Sequence, residues 1–194
     1  MKLHYGGKYT NEDDLKTKRE PAEGAVAFKE PEHGAFAIIA NAGCLVLVGL
    51  LLLGVFYIGK TEIRGFLKSL GVGAIASMLV LIPHEFLHAI CFKEDVYLYL
   101  NFEKFLAFVH GTEDMSKGRF IFMSMLPNLV FGVLPYVVFL INHDLYVLGV
   151  IGAFCFGMGF GDYINVFNAI TQMPKGAKTY LYDFHSYWYK EGAS

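Results

Sequence analysis

The run Pro83-His84-Glu85-Phe86-Leu87-His88 places two histidines four residues apart, with a glutamate directly after the first. On a helix, residues i and i+4 lie one above the other on the same face, so both imidazoles can reach one zinc ion. Zinc at such a site polarises a scissile carbonyl and makes water acidic, and Glu85 is suited to take the proton of the attacking water. Peptide hydrolysis then needs no covalent intermediate. The plainer alternative has His84 and His88 hydrogen-bonded to neighbouring helices, with Glu85 paired to one of them. Pro83 has no N–H to give to the Leu79 carbonyl, so the helix is expected to loosen just before the motif.

A catalytic zinc usually takes three protein ligands. After His88, the stretch Ala89-Ile-Cys-Phe-Lys93 supplies no histidine or acid, so the third must come from elsewhere. Asp162 is the one other acid inside an apolar stretch, and it lies about as far along its stretch as His84 does along its own. Gly149, Ala153, Gly157 and Gly161 recur at every fourth residue on the approach to it, a small-residue ridge expected to meet Gly71, Ala74 and Ser77 of the motif helix. Asp162 is therefore a candidate zinc ligand. A carboxylate there could equally orient a histidine through its second ring nitrogen. Were Asp162 to face away, His110, Glu103 and Glu113 would be the remaining candidates. Asn128, directly after Pro127, and Asn165, one turn past Asp162, could hold a substrate peptide or orient a ligand. Single amides in apolar helices also serve as helix-to-helix hydrogen bonders.

The elements that carry these residues are apolar. The 194-residue chain is 55% hydrophobic and 18% charged, and apolar runs of about twenty residues or more, with at most one charged side chain each, recur along it, long enough to cross roughly 30 Å of hydrocarbon. We expect an all-α membrane protein of about four transmembrane helices, at about 35–59, 69–92, 120–143 and 145–170. These form a domain of residues 35–172 between a polar N-terminal segment, 1–34, and a C-terminal tail, 173–194. The polar start lacks the pattern of a secretory leader. In the middle loop, Val96–Leu100 and Phe105–Val109 are β-prone and separated by Asn101–Lys104, which suggests a small hairpin; an amphipathic surface helix is the alternative. Cys44, Cys91 and Cys155 lack paired spacing and read as apolar fillers. A net charge of −2 argues against nucleic acid as a partner. A lipid bilayer and a peptide or membrane-protein substrate are the partners expected, and no feature of the sequence sets an oligomeric state.

Taken together, these features resemble the putative zincin peptidases of bacterial membranes, small relatives of the site-2 protease group. The likeness rests on Phe28-Lys-Glu-Pro-Glu32, the His84–His88 motif, Leu126-Pro-Asn128 and Gly161-Asp162. It implies a multi-pass protein of the bacterial cell membrane with His84, His88 and Asp162 as zinc ligands and Glu85 as the acid/base. Site-2 proteases usually have Asp followed by Gly, whereas here Gly161 precedes Asp162. A non-catalytic scaffold, or a metal-binding or transport protein retaining the same fold, is the competing reading. Thirteen of the sixteen Lys and Arg fall in the two tails and the middle loop, against Lys60, Arg64 and Lys68 on the other side, so both termini are expected in the cytoplasm. Cysteines introduced one at a time into 1–30, 101–118 and 180–194 should then label only from the cytoplasmic side. Labelling of the middle loop from outside would reverse the orientation.

Overall fold

No side chain from Gly34 to Gly59 carries a charge, and the chain folds there into one helix, α1 (His33–Gly59), which is apolar all round and closed by Lys60 in a left-handed conformation (φ 52°). The structure is a computed structural model; it describes residues 2–101, 103, 106–182 and 185–190, leaving aside the side chains of Glu12 and His33. The remaining helices are α2 (Ile63–Ala89), α3 (Lys117–Pro127), α4 (Leu134–Ile141), α5 (Tyr146–Met158) and α6 (Phe160–Gln172). Helix α2 begins six residues before the expected span and continues through Pro83 without a break.

Three helical stretches are long and apolar enough to cross a membrane: Gly34–Gly59, Ile63–Ala89 and Lys117–Ile141. The third joins α3 to α4 through a π-helical segment, Asn128–Val133. A fourth would be the pair α5 and α6, which differs from the single span expected at 145–170: the two are bent by 50°. The bend falls where Gly157, Gly159 and Gly161 alternate, a run with weak helical preference.

By its contacts the chain divides into two compact units. One comprises 31–84 and 125–164, and its core is Val55, Phe139 and Val150, flanked by Leu52, Phe66 and Leu70. Hydroxyls buried beside these apolar helices reach backbone carbonyls: Tyr136 donates to Leu51 O and Tyr146 to Gly59 O. Its outward side chains remain apolar, among them Leu45 at 73% and Leu79 at 75% exposure. The small-residue ridge does not meet α2 as expected. Gly149 lies against Phe139 of α4 and Val55 of α1, and Gly157 against Val48 and the Cys44 carbonyl of α1. A ridge of small residues permits close approach without choosing the partner. Helix α2 instead meets α5 where Gly73 faces Val147 and Val150.

The other unit comprises 1–30, 85–124 and 165–194. Its strands are β1 (Lys2–Lys8), β2 (Val26–Ala27), β3 (Asp95–Asn101), β4 (Leu106–His110), β5 (Met115–Ser116), β6 (Lys178–Tyr182) and β7 (His185–Tyr189). The middle loop is the hairpin: β3 and β4 pair antiparallel from Tyr97–His110 to Asn101–Leu106. Part of the expected turn, at 102 and 104, and the first residue of the expected second strand, 105, lie outside the described residues, as does the end of the C-terminal tail. The all-α expectation is corrected here, because the polar tails also form strands. Strand β1 runs parallel to β3 from Lys2–Asp95 to Lys8–Leu100, and β2, β7, β6 and β5 form a second, antiparallel sheet. Phe28, Phe92, Val96, Phe120 and Met173 fill the core of this unit.

Candidate metal centre

The last two turns of α2 carry His84, Glu85 and His88, each no more than 8% exposed. One ligating atom from each lies within 4.8 Å of the others, so the three form a potential metal-binding cluster along one unbroken helix. Burying such groups among apolar side chains is costly unless each is held by a partner.

His88 is held by α3. Its Nδ1 lies 2.9 Å from the Met123 carbonyl oxygen, and a carbonyl can only accept, so Nδ1 carries a proton and Nε2 is the nitrogen that could ligate a metal. The reason that carbonyl is available is written four residues on. In an α-helix the Met123 oxygen would accept from the N–H of residue 127, and residue 127 is a proline. Pro127 thus leaves an acceptor open, and the His88 ring fills it.

His84 faces Asp162. Its Nε2 is 3.4 Å from Asp162 Oδ2, longer than a well-made N–H···O hydrogen bond. Two ligands at about 2.0–2.1 Å from a tetrahedral zinc are about 3.4 Å apart, so the pair is spaced as co-ligands of one ion would be. Asn128, fully buried, donates from Nδ2 to the same Asp162 oxygen at 2.8 Å. The bend before α6 sets Asp162 in the first turn of that helix, where the backbone dipole favours a carboxylate. Gly159, at the bend, makes room for the Asn128 amide: a Cβ there would overlap Asn128 Oδ1.

Glu85 is oriented from the hairpin. Its Oε2 accepts the backbone N–H of Val109, on β4, at 3.0 Å. Asn165 is half-buried on α6 and takes no part in these contacts. The fallback ligands are engaged elsewhere. His110 Nδ1 meets Thr17 Oγ1 at 2.9 Å, and Glu103 pairs with Lys8 at 2.8 Å. Glu113 is buried against Arg119. Burial alone would raise its carboxyl, but the guanidinium and the N–H groups of Glu94 and Lys93 outweigh it and hold it below the ordinary carboxylate value.

Two groups at this site were absent from the sequence reading: the Met123 carbonyl and the Val109 N–H. Both are backbone atoms, invisible to a search by residue type. Pro127, four residues after Met123, was the available signal for the first.

A buried helical His-Glu-x-x-His supported by a nearby carboxylate is the donor set of the zinc-dependent metallopeptidases. The chain belongs to the putative zincin peptidase family, whose model matches residues 77–178, just over half of its length. Membership implies zinc, and it covers both the motif and Asp162. Neither a curated protein nor a solved structure matches the chain.

The link from Pro127 to His88 can be tested without metal. In histidine-labelled protein, ¹⁵N shifts should report His88 protonated at Nδ1. Pro127→Ala, which supplies an N–H to compete for the Met123 carbonyl, should shift His88 toward a mixture of tautomers. An unchanged tautomer would show that Pro127 does not release this acceptor.

Proposed function

We propose that the protein is a zinc metalloendopeptidase of the membrane, related to the site-2 protease type, in which His84, His88 and Asp162 hold the metal and Glu85 is the catalytic acid/base. The observation that carries this reading is the spacing of Asp162 against His84 beside a two-histidine helix face. When bound, zinc supplies a Lewis acid that polarises a carbonyl and acidifies water. The rest is the work of the chain's own residues. The Met123 carbonyl keeps the His88 proton on Nδ1. Asn128 holds one Asp162 oxygen in place. The Val109 N–H fixes one oxygen of Glu85, and the carboxylate so oriented takes a proton from water and passes it to the departing amine.

The apolar, membrane-length helices support insertion in a bilayer, with both termini on the cytoplasmic side of a bacterial cell membrane. The substrate is then a peptide or membrane protein cut in or beside the membrane. Strand β4 is an outer strand of its sheet, and one of its N–H groups donates to Glu85. An extended peptide laid along that strand would run beside the base, so the segment cleaved is read as extended. Proline substituted into a cleaved peptide on either side of the scissile bond should block cleavage; unimpaired cleavage would remove strand addition from the account.

The activity itself is tested by separating base from ligands. Detergent-purified protein should hold about one zinc, and His84→Ala/His88→Ala should hold none. Glu85→Gln should keep its zinc while hydrolysis falls by at least about 10³-fold, a drop of roughly 4 kcal/mol in transition-state stabilisation. Asp162→Ala should bind zinc more weakly, and Asp162→His should recover part of the loss. Native-rate cleavage by Glu85→Gln would overturn the mechanism, and loss of zinc in that variant would make Glu85 a ligand instead of the base.

A further inference from the structure

Beyond the residues that face the metal lies a buried charge pair for which the proposed chemistry has no use. Glu113, with a side chain 5% exposed, and Arg119, 21% exposed, form an ion pair between the loop after β4 and the first turn of α3. Both also grip the backbone just past the end of α2. Glu113 Oε2 accepts the N–H groups of Lys93 at 2.6 Å and Glu94 at 2.9 Å. Arg119 donates from Nε and Nη2 to the Cys91 carbonyl. A helix end leaves carbonyls and following amides without helical partners, and here one carboxylate and one guanidinium take up three of them.

A buried ion pair is a weak source of stability, because desolvation of the two charges consumes most of their attraction, and apolar side chains of similar size would serve as well. What this pair supplies is direction. Arg119 and Met123 are four residues apart and so lie one above the other on α3. The first holds Cys91 O and the second holds His88 Nδ1, three residues apart at the end of α2. Helix α3 is therefore fastened to the motif at two points, and the second sets the His88 ring. Glu113 completes the fastening from the loop that follows β4, the strand whose Val109 N–H holds Glu85.

We propose that Glu113 and Arg119 are positioning residues of the metal centre, clamping the end of α2 so that α3 presents the Met123 carbonyl to His88. The inference rests on the zinc reading above. The clamp touches neither metal nor substrate, and it acts through the tautomer and the aim of one ligand. Arg119→Lys keeps the charge but not the planar, two-pronged grip on Cys91 O, and Glu113→Gln keeps the volume but gives up the charge.

The test uses full-length, detergent-purified protein: the unaltered chain, Arg119→Lys, Glu113→Gln, their double variant and His84→Ala/His88→Ala. Zinc affinity is measured by chelator competition, the visible bands of the cobalt-loaded protein report ligand geometry, and thermal melting of the metal-free protein reports fold stability. Each single variant should loosen zinc by about 10- to 100-fold and alter the cobalt bands, as changes behind a metal ligand do. The double variant should be no worse than the poorer single one, because the two residues act as one unit. Should Arg119→Lys fail to fold, Glu113→Gln alone carries the comparison. Variants that melt lower yet bind zinc within about twofold of the unaltered chain, with the same cobalt spectrum, would overturn the clamp while the His84/His88 control leaves the zinc reading standing. An unaltered protein that takes up no metal removes both.

Discussion

Two imidazoles and a carboxylate buried at the end of an apolar helix, with the Asp162 carboxylate facing one of them from α6, can persist only if each is held, since an unpartnered ionisable group in such surroundings costs several kcal/mol. Most of what is distinctive in this chain answers to that constraint. Three of the four side chains have a hydrogen-bonded holder, Met123 O for His88, Val109 N–H for Glu85 and Asn128 for Asp162, while His84 faces Asp162. Two of the holders are backbone groups, which cannot swing away as a side chain can. The π-helical turn at Asn128 and the glycine bend at 159 are the local irregularities that bring the third into reach. Departures from regular helix at such points are common where a helix serves a site.

Proline acts in this scheme by what it lacks. Pro127 would be a defect in a helix chosen for stability, because it forfeits one hydrogen bond of the ladder. The acceptor it frees is the one that orders the His88 ring, so the lost helical bond reappears as a bond to an imidazole. The next residue, Asn128, supports Asp162. Adjacent residues of Leu126-Pro127-Asn128 therefore bear on His88, through an absent N–H, and on Asp162, through a side-chain amide.

The parts of this arrangement that were legible in the sequence are the local ones. Helix α1 follows from an uncharged run, and the placement of His84, Glu85 and His88 on one face follows from helical periodicity alone. The β3–β4 hairpin was one of two readings that periodicity allowed, and strand pairing decided it. Long-range pairing was not legible: β1 joins β3 across some ninety intervening residues, and no short window contains that information. For the same reason the tails looked like polar tails, although Lys178–Tyr182 and His185–Tyr189 are rich in tyrosine and pair well. Asp162 was singled out partly for a reason that failed. The glycine ridge leads to α1 and α4, and what brings Asp162 to His84 is the bend at Gly159, which composition marks only as a cluster of glycines.

In the proposed centre one zinc ion is held by two imidazoles and a carboxylate. Zinc K-edge X-ray absorption on the detergent-purified protein reads that ligand set directly. The proposed centre should show two histidine nitrogens and oxygen ligands, all at about 2.0–2.2 Å, with no sulfur in the coordination shell. A sulfur at about 2.3 Å, which would have to come from Cys44, Cys91 or Cys155, or a protein that retains no zinc at all, would contradict it.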